Sequence, residues 1–271
     1  MSINTVQVGD VTLTRVGYAD VGIPPARVGL TLEQIAKVGW AEPIWADGGE
    51  IRAGAAAWVI ESGDARIVVD PALAADDILR NDADASAHQE AFAALIEAAG
   101  FPRESFTHAI ATHYEGVGMF AWRNDDGSWT KFFPNAPILM SQTELDAMDA
   151  GKLFAEPIMP QLRAQGALQA VAGDHTQITD AVSVELTGGH SPGHQVVRVS
   201  SKGEQAVIVG HIAVSAVHLG TGYCPEEHMD PDTALVVLDK LLAEDTVLIG
   251  PLWPEPAAAR WNGERLAPVL S

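Results

Sequence analysis

Short apolar runs broken by Gly, Pro and Asp turns dominate the chain, and their period separates strands from helices. Val11–Val16 reads as a strand, followed up to residue 54 by a Gly- and Pro-punctuated segment. Ala56–Glu61 and Arg66–Asp70 read as two strands joined by a Ser-Gly-Asp turn. From Ser86 to Ala99 the apolar positions Ala87, Ala91, Ala94, Leu95 and Ala98 keep helical spacing, and Gly100 and Pro102 stop the helix. Phe106–Thr112 and Pro137–Met140 are short strands, and Ser141-Gln-Thr-Glu144 is a capping-box start for the next helix. Val182–Leu186, Gln195–Val199, Ala206–Val209 and Thr246–Ile249 complete the strands, with a helix over Asp232–Leu242 opened by Asp230-Pro-Asp. Hairpin strands with helices inserted between groups suggest an α+β chain, two mixed sheets packed face to face and flanked by helices as an αββα sandwich, although periodicity alone also allows other α/β layouts. No repeat or linker interrupts residues 1–271, so one domain is expected.

Composition narrows the function. Sixteen Lys and Arg against 36 Asp and Glu give a net charge of −20, a field that repels phosphate backbones and anionic membrane surfaces. Nucleic acid and membrane are therefore poor partners, and a small neutral or apolar molecule is the expected substrate. No apolar run approaches the roughly 18 residues of a transmembrane helix. The first residues lack a signal-peptide pattern, and Cys224 is the single cysteine, so a reducing cytoplasm is the expected compartment. The oligomeric state is left open.

Chemistry gathers at strand ends, where loops present side chains on a rigid scaffold. The segments are Thr112-His-Tyr-Glu-Gly-Val-Gly-Met, Gly188-Gly-His-Ser-Pro-Gly-His, Val209-Gly-His-Ile and Ile249-Gly-Pro-Leu-Trp-Pro. His113 and Glu115 stand two apart after a strand and can converge as a metal pair, and glycine beside His190 and His211 lets the backbone turn beneath each. No nucleophile elbow, phosphate-binding loop or dinucleotide fingerprint appears.

Over about residues 56–256 these segments resemble the metallo-β-lactamase superfamily, and within it the lactonase-like hydrolases. The superfamily pattern is Thr-His-x-His-x-Asp-His, then Pro-Gly-His-Thr-Pro-Gly-His, then Gly-Asp, then Gly-x-His. It binds two metals and activates a hydroxide for hydrolysis. Here His113 and His190 match, Glu115 replaces the second His, and His211 replaces the bridging Asp. Val117, Gly118 and Leu252 (or Pro251, if the alignment slips by one) stand where the second metal's ligands belong, and Asp70 where the superfamily has a supporting Asp. The resemblance implies a metallo-β-lactamase fold with at most one divalent ion on His113, Glu115, His190 and His211, or with none. Zinc suits three imidazoles and a carboxylate best, and iron or manganese also fit. The implied activity is hydrolysis of an ester, lactone or amide-like bond, with Glu115 and His211 as catalytic groups. A metal-independent enzyme or metabolite-binding protein, and a mononuclear iron oxygenase, are the alternatives. Tyr114, Trp122, His194 and Tyr223 are the expected substrate contacts, with Trp122 to Phe133 an apolar wall. His228 is a further hydrogen-bonding candidate.

Overall fold

The computed structural model describes residues 2–71, 85–115, 120–153, 158–222 and 228–269. Among them, eight strands form a first sheet. Its spatial order is Ser2–Val8, Val11–Ile23, Glu50–Ser62, Ala65–Val69, His108–Ile110, Ile138–Ser141 and Leu168–Val171, with Ala46–Asp47 paired to Glu50–Ser62. Seven strands form the second: His175–Gln177, Val182–Leu186, Gln195–Ser201, Glu204–Ile208, Val247–Ile249, Ala258–Trp261 and Leu266–Pro268. The first sheet runs antiparallel up to Ala65–Val69 and parallel beyond it.

The two-residue period of a strand sends successive side chains to opposite faces. Trp58 and Ile60 enter the cluster that also holds Val184, Val197 and Ile208 of the second sheet. Ala57 and Val59 face the other way, toward Phe92, Ile96, Leu145 and Leu162 on the helices Ala85–Ala98, Gln142–Asp149 and Met159–Ala164. With both faces covered, such strands read as continuous apolar runs. On the second sheet's side the helix Pro231–Ala243 buries Ala234, Leu238 and Leu241, and its N-cap Asp230 accepts from Thr233 N at 3.1 Å. These layers are the expected αββα sandwich.

Several elements exceed their sequence signal. The strands around the first hairpin run Val11–Ile23 and Glu50–Ser62, longer than predicted, and Ser2–Val8 pairs along its whole length with the former. The strand predicted over Phe106–Thr112 is regular only at His108–Ile110, although backbone bonds continue from Ala109 N to Pro137 O and from Ala111 N to Leu139 O. At this end of the sandwich the sheets are tied together: Gln195 N donates to Thr112 O at 2.9 Å, and Gln195 Nε2 to Ala111 O at 2.9 Å. The site lies beside that tie. Among the described residues no helix is long and apolar enough to cross a membrane.

Candidate metal centre

His113 follows the strand His108–Ile110, His190 the strand Val182–Leu186, and His211 the strand Glu204–Ile208. The three loops leave the same edge, so residues far apart in sequence converge. One ligand atom from each of His113, Glu115, His190 and His211 lies within 4.8 Å of the others. Glu115 Oε2 stands 3.3 Å from His113 Nε2, 3.7 Å from His190 Nε2 and 3.4 Å from His211 Nδ1. Zinc with ligand bonds of about 2.0–2.2 Å has tetrahedral edges of about 3.3–3.6 Å, so Glu115 stands close to one such edge from each imidazole, and the wider pairs would close by up to about 1 Å around an ion.

Hydrogen bonds behind the imidazoles set where their protons sit. Thr112 donates both its N–H and its hydroxyl to Asp70, at 2.8 and 2.5 Å. Thr112 Oγ1 therefore accepts from His113 Nδ1, 3.0 Å away, and His113 Nε2 turns a lone pair toward the cluster. His228 Nε2 donates to Ile212 O at 3.3 Å, which leaves His228 Nδ1 to accept from His190 Nδ1 at 3.4 Å. His190 Nε2 then also faces inward as an acceptor. Burial, followed by the neighbouring His211, holds the His113 imidazole well below its ordinary pKa and hence neutral. Contacts with His113, His190 and His211 hold Glu115 well below the carboxylate range and hence charged. Two lone pairs thus aim at a carboxylate oxygen, an arrangement that repels itself unless a cation or proton lies between. The donor set fits a divalent metal.

A buried carboxylate holds the loops in place. Glu144 accepts from Tyr114 N at 2.9 Å, Ser191 Oγ at 2.7 Å and Gly193 N at 2.8 Å, joining the first and second site loops. Its neighbour Ser141 caps the helix by accepting from Glu144 N and donates to Gly193 O at 2.6 Å. At Gly193 any Cβ would overlap the Glu144 backbone nitrogen and Ser141 Oγ, so the loop lies flat on the helix start only with glycine there. Gly210, at φ +60, is similarly constrained: a Cβ would come within 2.6 Å of His194 Nε2 and 2.7 Å of Thr112 Oγ1.

Beside the cluster opens a cavity of about 220 Å³, walled by Arg27, Val28, Val214 and Met229, with Tyr114, Glu115, His190, His211 and His228 toward the centre. Tyr114 Oη donates to Glu115 Oε1 at 3.0 Å. Two expected substrate contacts stand elsewhere. His194 is fully buried behind the ligand rings, its Nδ1 hydrogen-bonded with Thr187 Oγ1 at 2.7 Å. Trp122 lies under the Arg103 guanidinium, 4.1 Å from it, and against Phe132, so the aromatic stretch is core under the first sheet rather than cavity wall. Its apolar side chains were needed between sheet and helices. Tyr223, Val117 and Gly118 lie outside the described residues. Next to Leu252, which has no metal-binding atom, the buried Trp253 donates its indole N–H to Ala213 O at 2.9 Å. The sequence carried no signal for Arg27; its only mark was a proline-led turn far from the histidines.

No family model matches the chain. N-acyl homoserine lactonases of Bacillus thuringiensis are 24% identical over 148 residues, which cover 54% of this chain and 54% of theirs. The chain thus matches about half the length of these curated relatives. Among solved structures, the hydrolase AbOPH of the beta lactamase superfamily superposes with a TM-score of 0.73 at 18% identity, over 99% of this chain and 98% of its own. AidC, a dizinc quorum-quenching lactonase, also gives 0.73, at 15% identity over 100% and 98%. A probable metal-dependent hydrolase from Staphylococcus aureus gives 0.69, at 14% identity over 98% and 99%. The superposition extends over the whole sandwich, and the chain has the metallo-β-lactamase fold.

Proposed function

We propose that this chain is a hydrolase that cleaves an ester or lactone bond in a small molecule, with one divalent ion held by His113, Glu115, His190 and His211. The observation that carries the reading is the inward aim of the His113 and His190 lone pairs at a charged carboxylate. A divalent ion there supplies Lewis acidity, polarising an acyl oxygen and favouring attack by water near neutral pH. In net terms, water's oxygen joins the acyl carbon, the bond from that carbon to the alkoxy oxygen breaks, and the alcohol leaves with a proton. The chain's own groups shape the rest. Glu115, kept ionised, serves as a ligand rather than as a proton acceptor. Tyr114 pins its other oxygen. His211, the most exposed of the three rings, lines the substrate space and stands 3.4 Å from Glu115.

The lactonases among the relatives make lactones the first compounds to assay, with simple esters beside them. Zinc-supplemented protein is expected to turn over members of this set and to lose turnover with a chelator. Chelator-resistant turnover would instead favour the metal-independent enzyme.

A further inference from the structure

We propose that the substrate carries a free carboxylate, which the Arg27 guanidinium binds at the mouth of the cavity. This rests on the reading of the cluster as the reaction centre and narrows its substrate class. Arg27 is exposed and ends the short turn Pro25–Val28 on the cavity wall. Among the described residues no carboxylate stands within ion-pair distance of it, in a chain where Asp and Glu outnumber Lys and Arg 36 to 16. The one acidic side chain among the cavity-lining residues is Glu115, and it is committed: Oε2 to three imidazoles, Oε1 to the Tyr114 hydroxyl. Arg27 thus lines the cavity with no carboxylate of the described residues paired to its guanidinium.

The wall that carries it is built, not incidental. Val28 is buried, and its carbonyl accepts from His218 Nε2 at 2.9 Å, while Ser215 N donates to His218 Nδ1 at 3.2 Å. His218 sits on the helix Ala216–Thr221, which follows the Gly210–Ala213 turn that carries His211. Arg27 is therefore fixed relative to the centre through one buried imidazole.

Charge decides the ligand. With a dication bound, the wall carries +2 from the ion, −1 from Glu115 and +1 from Arg27, a local excess that favours an anion despite the net −20 of the chain. One guanidinium matches one carboxylate through two parallel N–H···O bonds. The volume, about 220 Å³, lies below the roughly 300–1,000 Å³ of pockets for drug-sized ligands, so the compound is small.

The test pairs binding with turnover on zinc-supplemented protein. Calorimetry with glutarate and pentanoate compares two carboxylates with one on chains of equal length. Glutarate is expected to bind at least tenfold tighter, with the advantage lost in Arg27→Ala and partly kept in Arg27→Lys. Monomethyl glutarate, against dimethyl glutarate, is expected to show a KM raised at least tenfold by Arg27→Ala with kcat unchanged, while the diester is indifferent to the substitution. Zinc content of each variant confirms an intact centre. Equal binding of the two acids, or a glutarate advantage that survives in Arg27→Ala, overturns the assignment. A glutarate advantage that depends on Arg27 without turnover of either ester leaves the carboxylate site standing and removes the hydrolase reading.

Discussion

Asp70, Thr112 and His113 form a chain of three side chains whose order determines which nitrogen of the imidazole faces the centre. Asp70 adopts a left-handed backbone at φ +33, a region that Asp tolerates better than most residues, and from there both carboxylate oxygens reach Thr112. Thr112→Val keeps the shape but removes the hydroxyl that receives His113 Nδ1–H. Metal affinity, measured by competition with a chelating dye, is expected to fall about 10–100-fold, the range for losing such an outer partner. Unchanged affinity would reduce Thr112 to packing. A second buried imidazole acts on the fold. Burial lowers His218 to about 4 from 6.5, opposed by the bond it donates to Val28 O and helped by the nearby His228, while Ser215 N donates to its other nitrogen. The unfolded chain binds the proton first, so stability is intact above about pH 6.5 and declines as pH falls toward 4. At about 1.4 kcal/mol per unit, the loss approaches about 3 kcal/mol. Urea unfolding between pH 7 and 4 is expected to show a shallower decline in His218→Gln, whose side chain does not titrate; equal declines would place the acid sensitivity elsewhere.

The helix Gln142–Asp149 shows what an element contributes beyond its own turns. Its start was legible, because Ser141 does accept from Glu144 N as the Ser-x-x-Glu pattern implies. The far side was not: Glu144 turns from its own N-cap to partners 30, 47 and 49 residues away. Glu144→Ala leaves Tyr114 N–H, Ser191 Oγ–H and Gly193 N–H without that acceptor. At about 1–3 kcal/mol for each buried group left unmade, and with water reaching some of them, a loss of about 2–4 kcal/mol is expected in urea unfolding. Zinc capacity should drop as well, since Glu115 and His190 ride on the released loops, whereas Glu144→Gln, keeping one acceptor oxygen, should lose less of both. Strand existence was legible wherever both faces are apolar, as in Ala56–Glu61. Strand extent was not, because the outer half of Val11–Ile23 is exposed and held by pairing with Glu50–Ser62 rather than by burial. Ser2–Val8 was missed for the same reason: its partner, not its own pattern, makes it a strand.

Across the whole molecule, the order of strands and the loops that leave one edge bring His113, Glu115, His190 and His211 together, and that much of the centre could be read from motif order. The partners that set their protons, Thr112 and His228, and the cation on the wall, Arg27, were hidden because their roles depend on neighbours brought in by folding. The same architecture bears on how many ions the chain can hold. Paired metals in two-metal sites stand about 3.5–4 Å apart, where two dications repel by on the order of 15 kcal/mol at an effective dielectric of about 20. Anionic ligands shared between the ions must offset that repulsion. Here Glu115 is the one carboxylate in the cluster, and Asp70 is turned to Thr112. In sequence, Val117, Gly118 and Leu252 occupy the remaining ligand positions of the superfamily pattern, and none has a donor side chain. One ion per chain is therefore the expected ceiling by elemental analysis after zinc supplementation and removal of loose metal. His190→Ala should bring that value close to zero, since it deletes an inward-facing lone pair and strands His228 behind it. Val117→Asp with Gly118→His should still hold a single tight ion, because Leu252 remains without a donor and Trp253 beside it is buried against Ala213. Two ions per wild-type chain would refute this account of the centre, and a value near zero would return the four side chains to acid–base or binding roles without a metal.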